Sequence, residues 1–398
     1  EDNMSIGLSS VGPKKYFGRF KKSLAPIPNL VKSQIESFDW FMKNGLKEVF
    51  QEFTSIKDYS GKKFQLDFTG FEIAEPKYDE FYAKTNKISY ETPVKVKVKL
   101  KNLILGTVKE QEIFMADLPL MTNHGTFIIS GIERVIVPQL ARSFGVFFTA
   151  AEGKGRKLFG AKIIPARGAW VEIETDNDGV IYVRIDRKRK FAVSTLLRVL
   201  GAHTDANILA HFAGNSDTKA VMEKTLAKDH AKTVQDSYIE IYKRLRDGDL
   251  AAAENAKEFV DSIFSEERYD LSKVGRFRFN NRFGKKVSEK EAVRKTINLD
   301  DVITIINQIV LLNNTPNAIE DDIDHLGSRR VRYVGELFQQ KIRVGMSQIK
   351  RNIQNRMSTI DTDVTLPVQF ISPKPLQARI KEFFTTNQLS QFMQQENA

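Results

Sequence analysis

The sequence predicts a mixed α+β protein, because two kinds of hydrophobic periodicity occupy different parts of the chain. Apolar residues and lysines alternate strictly in VKVKVKLKNL (residues 94–103), which is typical of a strand with one buried and one solvent-facing side. From residue 191 to about 265, apolar residues instead recur at intervals of three and four, which predicts helices. With 398 residues, 41% of them hydrophobic, the chain can bury a sizeable core and form about two or three domains.

Composition favours a polyanionic partner and excludes several kinds of site. The chain has 61 Lys and Arg against 50 Asp and Glu, a formal net charge of +11, which favours nucleic acid over an acidic small substrate. The absence of cysteine excludes disulfides, thiolate zinc sites and Cys nucleophiles. No apolar run approaches the roughly 18 residues of a membrane span, and no signal-peptide core follows the acidic start. We therefore expect a soluble intracellular protein.

The N-terminal third is predicted to be a polar tail, a helix and then strands. Residues 1–15 lack an apolar period and are expected to be a disordered tail. Residues 28–50 place aromatic and aliphatic side chains at helical spacing, with Gly45 as a break. Their aromatic face is expected to pack in the core, and docking of a partner helix is the alternative. Further strands are predicted within residues 64–73, 106–121 and 125–140.

Two glycine-containing stretches in the middle of the chain each allow a structural and a functional interpretation. Residues 150–162 are rich in Gly, Lys and Arg but lack the spacing of a phosphate-binding loop, so we expect a flexible basic loop. Residues 170–190 give two alternating strands around Asp176-Asn177-Asp178-Gly179. The paired acids suggest a metal site as one alternative, and a hairpin turn is favoured.

A basic and aromatic stretch follows the helical region. Residues 268–286 carry seven basic side chains, one acid and the aromatics Tyr269, Phe277, Phe279 and Phe283. Such interleaving is compatible with a nucleic-acid strand held by phosphate contacts and stacking. The alternative, with the aromatics buried and the charges outside, stays open.

The stretch DDIDHLGSRRVR (residues 321–332) is too polar to be core. Three acids precede His325, Gly327 indicates a turn, and three arginines follow. Long helices are predicted on either side, at residues 299–314 and 334–357. A solvated charged loop is the alternative interpretation.

No catalytic motif is recognisable. The five histidines lack zinc-site spacing, no serine lies in G-x-S-x-G, and no acidic cluster has the density that paired magnesium ions require. A self-sufficient enzyme is therefore the weaker hypothesis.

Three stretches, in this order, resemble the β subunit of bacterial DNA-directed RNA polymerase: GTFIISGIERVIVPQLARSFGVFF at residues 125–148, DDIDHLGSRRVR, and KEFFTTNQLSQFM at residues 381–393. The resemblance runs from about residue 16 to 398. It implies an α+β fold of two mixed modules, a β-rich protrusion (residues 16–141 and 333–398) and a lobe (142–332) inserted into it. Composition shifts near residues 150 and 321 agree with that division. Both ends of the chain are expected to be cuts within a longer one.

The resemblance also implies a function. The chain would form a wall of the DNA cleft of a nucleotidyltransferase, contact promoter and downstream DNA, and dock regulators, without catalytic residues of its own. No cofactor is expected here, and the magnesium of the parent enzyme would be bound by the β′ subunit. Expected partners are the β′, α and ω subunits, sigma factor, DNA and nascent RNA, in the nucleoid-associated cytoplasm. The alternative is a free-standing nucleic-acid-binding or regulator-docking module.

Three sets of site residues follow from the resemblance. The DNA-binding set, in which Arg142 is expected across the cleft from the others, is Arg142, Asp186, Arg187, Ile323, Asp324 and Arg329. An Asp324–arginine salt bridge between the modules is the structural alternative. The regulator-docking set, on an edge strand used by transcription-repair coupling factor and CarD-type regulators, is Val108, Lys109 and Glu110. A plain solvent-exposed edge is the alternative.

The third set would form a rifamycin pocket and comprises Arg134, Val137, Asn387, Leu389, Ser390, Gln391, Phe392 and Gln394. Asn387 stands where the family commonly has Ser, and Gln394 replaces an acid. Phe144 replaces a Pro and is expected to free the backbone nearby. These departures predict a lower sensitivity to rifampicin, and a purely structural loop is the alternative.

Overall fold

In the computed structural model, which describes residues 28–153, 155–246, 252–285, 288–360 and 366–393, the chain divides into two units. One unit is Gln139–Arg332, and the other consists of the chain up to Pro138 together with the chain from Tyr333 onward. Both helices and sheets are present, so the predicted α+β class is confirmed. The predicted tail and Gln394 lie outside the described residues.

The first unit begins with a helix that changes its winding. The elements before the second unit are α1 (Lys32–Trp40), a π-helical turn (Phe41–Gly45), α2 (Leu46–Glu52), β1 (Ser55–Lys57), β2 (Phe64–Ile73), α3 (Glu80–Thr85), β3 (Glu91–Asn102), β4 (Val108–Pro119), β5 (Phe127–Ile129) and β6 (Ile132–Ile136). The expectation that Gly45 breaks the helix is wrong, because Gly45 keeps helical dihedral angles. Its carbonyl accepts a hydrogen bond from Gln339 Nε2 at 3.1 Å, which supports the π-helical turn from outside.

Strands β1 to β4 form one antiparallel sheet in chain order. The predicted alternation is confirmed in β3, where Val94, Val96, Val98 and Leu100 are buried and the intervening lysines lie on the other face. Those lysines pair with acids of the neighbouring strands, for example Lys95 with Glu112 at 2.9 Å. Because β4 is the last strand of this sheet, one of its edges has no neighbouring strand within the described ranges.

The second unit opens with a five-stranded antiparallel sheet. The sheet has the strand order β12-β11-β10-β9-β8 and is preceded in the chain by β7, which is not part of it. The strands are β7 (Gln139–Arg142), β8 (Gly145–Gly153), β9 (Arg156–Ile164), β10 (Val171–Thr175), β11 (Ile181–Ile185) and β12 (Phe191–Ala192). The expected loop at residues 150–162 is wrong, since residues 150–153 of β8 pair with residues 156–159 of β9 and residues 160–162 also lie in β9. Gly160 serves close strand packing, because a Cβ there would lie 2.6 Å from the Ile173 carbonyl oxygen. The hairpin turn at Asp176–Gly179 is confirmed by a 2.8 Å bond from Gly179 N to Asp176 O.

Helices cover this sheet and confirm the helical prediction. They are α4 (Val193–Leu200), α5 (Asp205–His211), α6 (Ser216–Lys228), α7 (Val234–Leu245), α8 (Ala253–Ile263), α9 (Ser272–Arg282), α10 (Glu289–Ala292) and α11 (Leu299–Asn314). The predicted acidic start of α11 is a capping box between Asn298 and Asp301. A 3-10 turn (Leu326–Ser328) and β13 (Arg329–Arg332) end the unit.

The chain then returns to the first unit. The returning elements are α12 (Val334–Thr359), a 3-10 turn (Pro367–Gln369), α13 (Lys374–Thr385) and β14 (Ser390–Phe392). Aromatic rings join the early and late segments, since Phe338 lies 4.8 Å from Phe41 and 5.0 Å from Phe384 between ring centroids. The core prediction for the aromatic face of residues 28–50 is confirmed by the burial of Phe38, Phe41 and Phe50. Within the described ranges, no helix is long and apolar enough to cross a membrane.

Candidate nucleic-acid interface

The acidic start of the 321–332 stretch is held in place by backbone and arginine contacts. Asp321 N donates to Phe148 O at 2.9 Å, and Phe148 N donates to Asp321 Oδ2 at 2.7 Å. Arg282 completes the carboxylate with Nη1–Oδ2 and Nη2–Oδ1 distances of 2.8 Å. Asp321 therefore acts as a one-residue extension of the sheet at the β8 edge and has a structural role.

The turn after Asp321 leaves Asp324 exposed. Asp322 Oδ1 accepts from the backbone N–H groups of Asp324 and His325 at 3.0 and 3.1 Å, and His325 Nδ1 accepts from Gly327 N at 3.0 Å. These side chains satisfy the turn, so the Asp324 carboxylate is not needed for it. No carboxylate–arginine contact involves Asp324 in the part of the chain that the structure describes, so the predicted Asp324–arginine bridge is not found there.

The arginines that follow form a two-stranded ribbon. Strand β13 pairs antiparallel with β7, and Arg329 lies directly opposite Arg142. The expectation that Arg142 lies across a cleft from Arg329 is therefore wrong, since the two are cross-strand neighbours on one face of the ribbon. Like charges in that position repel. Neither arginine has a carboxylate partner among the described residues, and Arg329 Nε is buried without a hydrogen-bond acceptor there.

Exposed apolar side chains continue the same face. Leu140 lies opposite Val331, two residues along each strand, and the two are 44% and 42% exposed. A pair of guanidinium groups beside an apolar step offers donors for phosphate or base-edge oxygens and a surface for a sugar or base. This combination suits nucleic acid better than a small anion.

A second group of predicted residues surrounds Trp170. A small cluster of buried Phe144, Phe147 and Ile164 has Trp170 and Ile323 packed against it. Asp186 Oδ1 accepts from Trp170 N at 2.9 Å, and the Asp186 N–H donates to Trp170 O at 2.9 Å.

Arg187 completes this second group, which thus contains Ile323, Asp186 and Arg187. Its guanidinium carbon lies 5.5 Å from the centre of the Trp170 ring. Both Asp186 and Arg187 have left-handed backbone angles, with φ of 49° and 60°. The antiparallel register explains the contact, because Val171 pairs with Ile185 and thus brings Trp170 beside the end of β11.

The environment of Phe144 differs from the sequence expectation. The ring is buried, with Arg330 lying 4.6 Å from its centre, and Ser143 N donates to Ser328 O at 2.9 Å. The idea that Phe144 frees the backbone is therefore wrong. Sequence reasoning also missed Trp170 as a member of the site, and the strand register would have been the signal to find it.

The rifamycin set is assembled in the first unit around the β6–β14 pair. Phe392 lies opposite Arg134, whose guanidinium carbon is 4.4 Å from the Phe392 ring centre. Val137 N donates to Leu389 O at 2.8 Å, which continues the pairing. The structure thus brings together the described members of this set. Gln394 lies beyond the described residues.

The loop before β14 uses its polar groups internally. Asn387 Oδ1 accepts from Leu389 N at 3.0 Å, and Ser390 Oγ donates to Phe384 O at 2.6 Å. Asn387 N donates to the backbone carbonyl of Glu382. Hydrogen bonds from Arg379 and then Lys341 lower the pKa of the Glu382 carboxyl. The Asn387 amide therefore closes a local turn, as a serine hydroxyl does more weakly.

The regulator-docking set lies on the open edge of β4. Asn102 N donates to Thr107 O at 2.9 Å, so residue 107 and, by alternation, Lys109 direct their backbone groups toward β3. Val108 and Glu110 then direct their backbone groups toward the open edge. Val108 is 51% exposed, and Glu110 is held by Lys99 at 2.9 Å.

Among the described residues, no group of three or more His, Asp or Glu side chains could hold a metal ion.

Comparison with known proteins identifies the family. The family model described as "RNA polymerase Rpb2, domain 2" matches residues 144–332, and that described as "RNA polymerase beta subunit" matches residues 29–124. Two curated relatives, the DNA-directed RNA polymerase subunits beta of Chloroflexus aggregans and Syntrophomonas wolfei, are each 40% identical over 96% of this chain. The chain belongs to the RNA polymerase β-subunit family. It spans 34% of the length of each of these relatives.

Proposed function

We propose that this chain is the N-terminal part of a polymerase β subunit and forms a wall of the DNA cleft during DNA-templated RNA synthesis. In this proposal Gln139–Arg332 is the lobe, and the other unit is the protrusion. The assembly partners are the β′, α and ω subunits and sigma factor in the cytoplasm, and the catalytic magnesium belongs to β′. The names of the relatives support the polymerase assignment.

The observation that carries DNA binding is the Arg142–Arg329 pair. Two unneutralised guanidinium groups on one ribbon face are stabilised by a bound polyanion, which relieves their mutual repulsion. Asp324 is exposed and can only accept hydrogen bonds, so it suits the amino edge of a base. Trp170 offers a ring beside which an unpaired base can stack.

Removal of the Arg329 side chain tests this proposal. In polymerase reconstituted with a β subunit carrying this sequence, Arg329→Ala is expected to shorten the open-complex lifetime by about 5- to 150-fold and to weaken its base preference. The range corresponds to about 1–3 kcal/mol for a bidentate arginine–base contact. Lifetimes are measured on promoters that differ only at the contacted non-template base.

The control is Arg244→Ala, which removes the same charge from a surface pair with Glu240. Arg329→Ala should not reduce the thermal stability of the lobe, because the substitution removes a like-charge pair. Unchanged lifetime and base preference in Arg329→Ala would show that the ribbon does not contact DNA.

We also propose that the β4 edge receives a strand from transcription-repair coupling factor or a CarD-type regulator. The open backbone groups of Val108 and Glu110 support this mode of binding, in which main-chain hydrogen bonds provide affinity. Glu110 and Glu112 form ion pairs with Lys99 and Lys95 at 2.9 Å, and the hydrogen bond from Lys95 lowers the pKa of Glu112. Charged guards of this kind limit non-specific strand pairing.

Loss of regulator binding is expected for Lys109→Ala combined with Glu110→Ala, measured by pull-down with reconstituted polymerase. Val108→Pro is expected to have the same effect, because it removes an outward N–H without changing charge. Lys97→Ala with Glu72→Ala is the control, since that pair lies on the same sheet away from the edge. Regulator capture at the control level by both edge variants would refute strand addition.

The β6–β14 surface is proposed as the rifamycin-binding surface. Two observations support this proposal: the Arg134 guanidinium lies over the Phe392 ring, and hydrogen bonds within the preceding loop satisfy the Asn387 and Ser390 side chains. Together they fix the positions of the exposed side chains.

A further inference from the structure

Helix α9 has one face packed in the second unit and one face exposed. This helix covers most of the basic and aromatic stretch at residues 268–286. Its inner face is fully used, because Arg276 and Phe279 are 1% and 2% exposed. Those two side chains follow the buried alternative for this stretch. The outer face is different in character.

Three side chains four residues apart form a row along the outer face: Lys273, Phe277 and Asn281. Phe277 is 68% exposed, and the neighbouring Val274 is 50% exposed. Lys273 has no carboxylate partner in the described part of the chain. The row therefore presents a free cation, an aromatic ring and an amide in sequence.

Arg278 joins this face to the residues of the candidate interface. It donates from Nη1 to Gly327 O at 3.0 Å, and its guanidinium carbon lies 5.6 Å from the Phe147 ring centre. It too lacks a carboxylate partner within the described ranges. The outer face of α9 thus adjoins both the turn that follows Asp324 and the aromatic cluster that supports Trp170.

We propose that the outer face of α9 is a second binding surface for single-stranded nucleic acid, in which a base stacks on Phe277 and Lys273 and Arg278 hold adjacent phosphates. The inference rests on the proposed function and extends it to a strand path beyond the Arg142–Arg329 ribbon. Charge favours this ligand over a protein partner, because Lys273, one turn before the ring, and Arg278, the next residue, have no carboxylate partner among the described residues, and α9 itself contains no acid. Asn281 supplies a donor and an acceptor for a base edge.

Fluorescence anisotropy of the 398-residue chain with a labelled mixed-sequence DNA strand of about 15 nucleotides tests the proposal. Phe277→Ala is expected to weaken binding by about 5- to 150-fold, the range for loss of one stacked base. Phe277→Tyr retains the ring and should bind like the wild type. Leu311→Ala, which trims an apolar side chain 56% exposed on α11, is the matched control.

Lys273→Gln gives an independent readout. It is expected to reduce the slope of log affinity against log salt by about 0.7, the value for one phosphate contact to a single strand. An unchanged slope would show that Lys273 does not contact a phosphate, which would contradict the proposal.

The remaining outcomes separate this inference from the proposed function. If Arg329→Ala weakens strand binding and Phe277→Ala does not, the α9 surface is refuted and the ribbon assignment stands. If the wild-type chain binds no strand while Arg329→Ala still shortens the open-complex lifetime of the polymerase, the α9 surface is likewise refuted and the ribbon assignment stands. If Phe277→Ala leaves strand binding intact but prevents assembly with β′ or sigma factor, the surface is a protein-docking site and the proposal is overturned.

Discussion

Arg276→Ala is expected to lower the free energy of unfolding of the Gln139–Arg332 unit by about 3–5 kcal/mol, the cost of breaking a buried ion pair from one side. Arg276 is 1% exposed and contacts the 2% exposed Asp301 at 2.9 Å. Its other donors serve the carbonyls of Thr296 at 2.6 Å and Arg294 at 3.1 Å. The variant would leave the Thr296 and Arg294 carbonyls without this donor and Asp301 with the Arg294 guanidinium at 3.0 Å as its remaining cation. It would also open a cavity beside buried Tyr269, whose pKa is raised by its burial.

Urea unfolding followed by tryptophan fluorescence measures this effect in one unit. The chain has two tryptophans, Trp40 in the first unit and Trp170 in the second, so a Trp40→Phe background reports the second unit alone. Arg276→Lys should be intermediate, because it keeps the charge but cannot reach three acceptors in a fork. Arg244→Ala should cost about 0.3–0.5 kcal/mol, as surface helix pairs do. A loss in Arg276→Ala no larger than that would mean that the cluster is hydrated.

Gln394→Asp is expected to lower the rifampicin concentration for half-inhibition of the reconstituted polymerase by roughly ten- to a hundredfold. The family resemblance puts an acid at this position, and in the proposed rifamycin-binding surface an amide there would lack the charge of that acid. A charge-assisted hydrogen bond contributes about 1.5–3 kcal/mol, which corresponds to that range. Transcription inhibition curves for the parent and the variant provide the measurement.

Gln388→Asp is the matched control, because it adds the same charge to an exposed position of the same loop. Asn387→Ser should have a smaller effect, since a serine hydroxyl can also accept from the Leu389 N–H. Equal midpoints for the parent and Gln394→Asp would show that this loop is structural only and that Gln394 does not contact the drug.

Local periodicity was enough to predict those elements whose pattern comes from a single face. The alternation of β3 and the long helix α12 are examples, because each residue's burial there depends on its position within one regular element. The β8–β9 hairpin was not predicted, because a glycine-rich composition is typical of loops. Its Gly160 is instead required by the close approach of β10, a neighbour whose distance has no local signal.

The geometry of the candidate site likewise depends on contacts between distant segments, which have no local sequence signal. Residue resemblance pointed to Arg142 and Arg329 separately, but their direct opposition depends on pairing between distant strands. In α9, the same residue types serve both faces, and only the helical phase separates buried Phe279 from exposed Phe277. Sequence could therefore identify the chemistry of the surface, whereas its pairing and depth required the fold.

The β7–β13 ribbon brings the two ends of the inserted unit together. Gln139 and Arg332, the two ends of the inserted unit, are paired residues, so their Cα atoms lie about 5 Å apart. For the host unit, the whole insertion therefore spans no more distance than a tight hairpin turn. Once the insert has folded, closing the host chain across it costs the entropy of a short loop and not that of a long one, because loop-closure entropy depends on the freedom of the joining segment. The ribbon thus lets a large insertion act, in conformational entropy, as a turn of a few residues.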